Sequence, residues 1–196
     1  MKDIHVLILA GGDSTRFWPL GDKLFLNFLG KPILFYRLKQ LQKYGFRNIT
    51  VVCSEVNENN FLIFKHAYPE FQFELVKQVD KRGMAGAVLS AEHLIDSKSV
   101  LIIKPIDLFE DILFEEFKRL LEKNKPEHIL TGVTTNTYFP GGYLAIENER
   151  LLNIVEKPHP GQEPSNIVRI VFDYFQDISI FLKFLKESKT TKDELY

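Results

Sequence analysis

Within LILAGGDSTRFWPLGDKLFL, residues 7–26, an apolar run ends in two adjacent glycines, and Arg16 and Lys23 follow. Glycines lack side chains, so the backbone at Gly11 and Gly12 can curl until successive N–H groups point inward as an anion-binding nest. An arginine placed beyond such a turn can fork two phosphate oxygens, and a lysine adds a compact, mobile charge. This chemistry suits a polyphosphate. The same residues also fit a plain strand-to-loop turn with two solvated cations. A Walker loop is excluded because no Gly-Lys-Ser/Thr ending follows, and a dinucleotide fingerprint because the third glycine is missing.

Elements that could hold such a loop alternate along the first two thirds of the chain. Strand-like runs cover residues 4–9, 48–53, 71–77, 100–103 and 128–133. Pro32 opens a helix with Leu34, Leu38 and Leu41 on one face, and Gly45 closes it. Met84, Val88, Ala91 and Ile95 keep helical spacing after the third run, as do Phe114, Phe117 and Leu121 after the fourth. Strand–helix alternation predicts an α/β fold, a Rossmann-like, mainly parallel sheet flanked by helices, with ligands beyond the carboxyl ends of the strands. From about Phe139 the pattern becomes β-rich. GGYLAI and RLLNIVEKP read as a hairpin, IVRIVFDYF as a further strand and residues 178–187 as a helix. The expectation is one domain, with an α/β half over 1–138 and a β-rich half over 139–196.

Bulk properties narrow the partners. The chain has 196 residues, 45% hydrophobic and 26% charged, with a formal net charge of −1. That balance argues against nucleic-acid binding through general basicity. Cys53 is the only cysteine, which rules out a disulfide framework and a cysteine-based zinc site. The apolar run at residues 4–10 is too short for a signal core or a membrane span, so a cytoplasmic location is expected. The five histidines show no ligand spacing.

LAGG-x-x-TRFWPL with Lys23, followed by FLGKPILFYRLKQLQKYGF, resembles the start of the sugar-1-phosphate nucleotidyltransferases. The resemblance runs across nearly the whole chain. Gln78-Val-Asp-Lys-Arg-Gly83 resembles the base-recognition segment of that family. Asp107, in PIDLF, stands where the family places a strand-end aspartate that binds magnesium. Gly141-Gly142-Tyr and Val155-Glu156-Lys157-Pro158 resemble its sugar-binding glycine and its Glu-Lys-Pro motif. The resemblance implies an enzyme that joins a nucleoside triphosphate to a sugar 1-phosphate and releases pyrophosphate, with Mg2+ as cofactor. It implies that Ala10, Gly11, Gly12, Gln78 and Gly83 bind nucleotide. Arg16 would grip the triphosphate and Lys23 would face the α-phosphate. Gly142, Glu156 and Lys157 would hold the sugar phosphate, and Asp107 the metal.

Each role has a plainer competitor. Asp107 also fits a helix N-cap ahead of EDILFEEF. Glu156 and Lys157 fit an exposed pair at a strand end, and Gln78 an ordinary surface amide. The chain departs from the family at Ser14 and Ile106, both commonly glycine, and Ile106 is expected to crowd the substrate. The β-rich half stops before the family's second metal-binding aspartate, which leaves either a short branch or a fragment. FWPL resembles the mannose 1-phosphate guanylyltransferases, whereas GKPILFYRL resembles the glucose 1-phosphate thymidylyl- and uridylyltransferases. A different phosphorylated acceptor, or a binding module without turnover, stays open as an alternative, and so does the oligomeric state.

Overall fold

The computed structural model describes residues 1–12, 22–80, 82–148 and 150–188. Strand β1 (His5–Ala10) is the centre of a parallel block. It pairs with β4 (Asn48–Cys53) over six positions, from His5↔Asn48 to Ala10↔Cys53, and with β6 (Val100–Ile103) on its other edge. β5 (Glu74–Lys77) extends the block beyond β4. Strands covered on both faces read as continuous apolar runs, which is how HVLILA, NITVVC and VLII are written.

Helices α1 (Ile33–Lys43), α2 (Glu58–Ala67) and α5 (Asp111–Asn124) cover one face. Leu34, Leu38, Leu41, Phe61, Phe64, Phe114 and Phe117 bury there against Val6, Ile8, Val51, Leu101 and Ile103. The opposite face carries α3 (Gly83–Ser90), the short α4 (Glu92–Ile95) and α6 (Ser179–Glu187). Here Ala87, Val88, Ile95 and Leu182 lie on Leu7, Val52, Val100 and Ile102. His5 is a satisfied core histidine, 2.8 Å from the Thr50 hydroxyl. Among the described residues no helix is long and apolar enough to cross a membrane.

Several elements differ from the sequence expectation. The third strand is shortened to Glu74–Lys77, because Phe71 and Phe73 turn into the aromatic cluster with Phe61 and Phe64. The stripe from Met84 to Ile95 is broken at Ala91 (φ −99°, ψ 4°) into α3 and α4. A small hairpin, β2 (Asn27–Phe28) with β3 (Lys31–Pro32), precedes α1. Its two turn residues, Leu29 (φ 48°) and Gly30 (φ 81°), take the left-handed conformation that matches strand twist in a tight hairpin.

The β-rich half joins the same sheet. β7 (His128–Thr134), β8 (Gly142–Glu147), β9 (Arg150–Glu156) and β10 (Ile167–Phe175) give an eight-stranded sheet with the order β5-β4-β1-β6-β10-β8-β9, and β7 also on β10. The C-terminal half of β10 runs antiparallel to β6, from Phe172↔Ile103 to Phe175↔Val100. Its N-terminal half reaches past the end of β6 and meets β8 at Val168↔Tyr143. β7 lies along the other edge of β10, so it keeps the direction of β6 with β10 inserted between them. A bulge between Ile170 and Tyr174 bends β10 where it passes the exit of β6.

Candidate active site

The glycine turn follows β1, and its base is closed by a residue the sequence reading did not single out. Asn57, 2% exposed, donates from Nδ2 to the Ala10 carbonyl at 2.9 Å and to Asp22 Oδ2 at 2.8 Å. The chain leaving β1 is thereby tied to the chain entering the 3-10 turn of Lys23–Phe25. Asp22 also caps that turn, accepting from the Leu24 N–H at 3.0 Å. Arg16 and Ser14 lie outside the described residues.

Gln78 crosses from the end of β5 onto this turn. A Cβ built on Gly11 would stand 1.9 Å from Gln78 Oε1, so a side chain there would have to push the Gln78 amide aside. The amide nitrogen of Gln78 donates to the carbonyls of Asp80 (2.7 Å) and Gly83 (3.0 Å), which commits both its hydrogens within the loop. Gly83 (φ 55°) then turns the chain into α3. Gly86 was not foreseen. A Cβ there would come 2.1 Å from the Asp80 carbonyl oxygen, so its absence lets the 78–83 loop lie on the helix. Asp80 and Arg82 pair across that loop at 2.6 Å. The structure thus gathers Ala10, Gly11, Gly12, Gln78 and Gly83.

Asp107 sits in the turn after β6. Helix α5 begins at Asp111 with Glu110 at its N-cap position, so Asp107 is not the cap the sequence allowed. Burial pushes its carboxyl above the ordinary range, while Lys104, the Val171 N–H, Arg37 and Lys23 pull it down. A carboxylate surrounded by cations is a poor cage for a resident ion, and among the described residues no three acidic, His or Cys side chains cluster for one. It fits Mg2+ that arrives on a polyphosphate, since that cation keeps waters and phosphate oxygens and takes one or two protein carboxylates. Ile106 is partly buried and packs against the core cluster.

On the β-rich side, Gly142 pairs with Glu156 across β8 and β9. A Cβ at Gly142 would lie 3.0 Å from Glu156 Oε2, leaving a bare floor beside a carboxylate. Lys157 adopts the left-handed conformation (φ 46°), its N–H donates to the Gly141 carbonyl at 3.0 Å, and its Nζ lies 3.5 Å from Glu156 Oε1.

Two further charged residues connect these clusters. Tyr143↔Val168 sets Gly142 beside Arg169, and Arg169 in turn opposes Gly132 on β7. Glu156, Gly142 and Arg169 therefore share one row and one face of the sheet. Arg169 forms an ion pair with Asp173, which is 2% exposed. Burial raises the Asp173 carboxyl, opposed by Arg169, Lys104 and the Thr131 N–H. The Lys104 N–H donates to the Val171 carbonyl at 3.3 Å, between Arg169 and Asp173. Their signal in the sequence was two opposite charges on one face of an otherwise apolar strand.

Residues 5–196 match the nucleotidyl transferase family. A bifunctional sugar-1-phosphate nucleotidylyltransferase/acetyltransferase from Sulfurisphaera tokodaii is 30% identical over 190 residues, covering 90% of this chain and 44% of that protein. The UTP–glucose-1-phosphate uridylyltransferase AglF of Haloferax volcanii is 26% identical, covering 88% and 72%. The crystal structure of UDP-glucose pyrophosphorylase with UDP-glucose superposes with a TM-score of 0.78 at 20% identity, over 97% of this chain and 82% of that one. The chain spans less than half the length of the bifunctional relatives it matches. A family match that runs from the first residue of β1 through α6 takes in every element described above, and the chain belongs to the nucleotidyl transferase family.

Proposed function

We propose that the chain transfers a nucleotidyl group from a nucleoside triphosphate to a sugar 1-phosphate, giving a nucleoside diphosphate sugar and pyrophosphate. One observation carries this reading. Lys23 of the 3-10 turn interacts electrostatically with Asp107 after β6, and Asp107 connects through Val171 and Arg169 of β10 to Gly142 and Glu156. That both groups of residues are tied to one continuous sheet supports assigning the first to a polyphosphate and the second to a sugar.

In the proposed reaction an oxygen of the sugar phosphate bonds to the α-phosphorus, and the bond from that phosphorus to the α–β bridging oxygen breaks. The electron pair leaves with pyrophosphate. Such a transfer needs alignment and charge neutralisation more than covalent help. Lys23 faces the α-phosphate, Arg16 grips the departing pyrophosphate, and Gly11 and Gly12 lend backbone donors. Gln78 and Gly83 wall the base side. Glu156 accepts from sugar hydroxyls over the bare Gly142, and Lys157 holds the sugar phosphate. Asp107 would hold Mg2+, which when bound neutralises charge on the phosphate oxygens. Magnesium dependence and a cytoplasmic setting, where nucleoside triphosphates are abundant, belong to the same reading.

The test is incubation of the chain with magnesium, each of the four common nucleoside triphosphates and a panel of sugar 1-phosphates, assayed for pyrophosphate. Release in one combination supports the reading and names base and sugar. Nucleotide binding with no pyrophosphate from any pairing would leave a binding module instead.

A further inference from the structure

Arg37 is a charged residue in the wrong place for a surface helix. It lies on the buried face of α1 with Leu34, Leu38 and Leu41 and is 3% exposed. Burying a guanidinium is costly unless it is paired and hydrogen-bonded. Among the described residues it is neither in an ion pair nor fully bonded. Nη1 donates to Gln40 Oε1, Nη2 donates to the backbone carbonyl of Asp107, and Nε finds no partner among the described residues. Its Cζ lies over the Phe109 ring, 4.3 Å from the ring centre. Every polar contact it makes outside its own helix is to the turn that presents Asp107.

Neighbours on α1 extend the grip. Gln40 Nε2 donates to the Phe109 carbonyl at 2.9 Å and to Asp111 Oδ1 at 3.1 Å, and Tyr44, at the C-cap of α1, donates to the Asp111 carbonyl at 3.2 Å. One helix face thus fixes the backbone from Asp107 to Asp111. The Asp107 carbonyl is held toward α1, while its carboxyl receives the Val171 N–H from β10 on the other side.

We infer that Arg37 is a positioning residue that sets the Asp107 carboxylate for the metal–nucleotide complex by clamping the 107–109 backbone to α1. The inference rests on Asp107 being the metal ligand, as proposed above. A point charge would not replace the fork, because the clamp depends on a planar group that donates at one edge and lies over Phe109. Groups that orient a metal ligand commonly change metal affinity by about 10-fold to 100-fold when removed.

The experiment compares the wild-type chain with Arg37→Met, Arg37→Lys, Gln40→Met and Asp107→Asn. Mn2+ binding is titrated by electron paramagnetic resonance in the presence of nucleoside triphosphate and without sugar phosphate, and backbone amide exchange is followed. Arg37→Met and Arg37→Lys should both weaken Mn2+ binding about tenfold. Amides of 107–109 should exchange faster, while those of β1 and α1 keep their protection. Gln40→Met, which leaves the α1 core intact, should give a smaller loss of the same kind. Unchanged Mn2+ affinity in both Arg37 variants, full rescue by lysine, or protection lost throughout β1 and α1 would overturn the inference. If Arg37→Met does not fold, the same criteria apply to Gln40→Met. Asp107→Asn separates the two claims. If it leaves Mn2+ binding unchanged, the metal reading falls and the inference with it. If it weakens binding while Arg37→Met does not, only the positioning role falls.

Discussion

At the scale of single residues, Asp107 and Lys23 carry the sharpest tests. Asn keeps the shape of Asp and one acceptor oxygen but lacks the charge a hard cation requires. Asp107→Asn should therefore melt close to wild type, turn over far more slowly and need more magnesium; an unchanged rate at unchanged magnesium would remove Asp107 from the site. Lys23→Ala should raise the barrier to transfer by a few kcal/mol, on the order found when a charge-stabilising group at a phosphoryl centre is removed. Arg16→Ala should behave alike, and Arg16→Lys should fail to rescue, since the planar fork is lost. Pyrophosphate release read beside thermal melting distinguishes these losses from a loss of fold. Asp107 also shows where residue-level reading stops. A carboxylate after a strand is equally a cap or a ligand until the first turn of α5 is located at Asp111.

At the scale of elements, two glycines of the proposed nucleotide side separate by what surrounds them. Gly86→Ala would drive a Cβ to 2.1 Å from the Asp80 backbone oxygen, whereas a Cβ on Gly12 meets nothing within 4 Å among the described residues. Overpacking of that kind costs about 1–3 kcal/mol, so Gly86→Ala should lower the melting temperature and weaken nucleotide binding while Gly12→Ala leaves the fold unchanged. Equal melting of the two variants would count against the packing of the 78–83 loop on α3. Periodicity and turn chemistry made most strands and helices legible, and β4, β6 and β10 appear with the boundaries their apolar runs suggest. The reason for Gly11 was not legible, because Gln78 reaches it only once β5, β4 and β1 are aligned. Arg37 left a signal that could have been used, a cation at helical spacing among buried leucines.

The buried Arg169–Asp173 pair of β10 makes a pH dependence testable. Removing Arg169 leaves Asp173 buried, faced by Lys104 beyond β6 and the Thr131 N–H on β7. Breaking one side of a buried pair costs about 3–5 kcal/mol, so Arg169→Met should be strongly destabilised near neutral pH. The folded carboxyl titrates above its unfolded value. The folded state then gains protons that the unfolded chain lacks as pH falls. The deficit of Arg169→Met relative to wild type should therefore shrink from about pH 8 to about pH 5, measured by denaturant unfolding at each pH. A deficit that stays constant or grows on acidification would show that Asp173 is not the group left uncompensated.

At the scale of the whole molecule, the α/β half and the β-rich half share one sheet through β10, and Phe172 is where that junction meets the core. Its ring makes edge contacts with Phe109, Phe114 and Phe117 at 5.3–5.4 Å, and its backbone pairs with Ile103 of β6. The Thr131 hydroxyl donates to the Phe172 carbonyl at 2.7 Å from the opposite edge. The proposed site, with Lys23 and Asp107 on one side and Gly142 and Glu156 on the other, keeps its geometry only if the halves do not hinge at this strand. Phe172→Ala removes a fully buried ring and should cost about 3–5 kcal/mol, a large share of the ~5–15 kcal/mol that stabilises an ordinary domain. If the sheet is one cooperative unit, the cost must appear equally in both halves. Amide exchange of β1 and β4 and of β8 and β9 should then report the same reduced opening free energy, and denaturant unfolding should keep a single transition. Loss confined to β8 and β9, with β1 and β4 at wild-type protection, would mean that the two ends of the proposed site are held together more loosely than the continuous sheet implies.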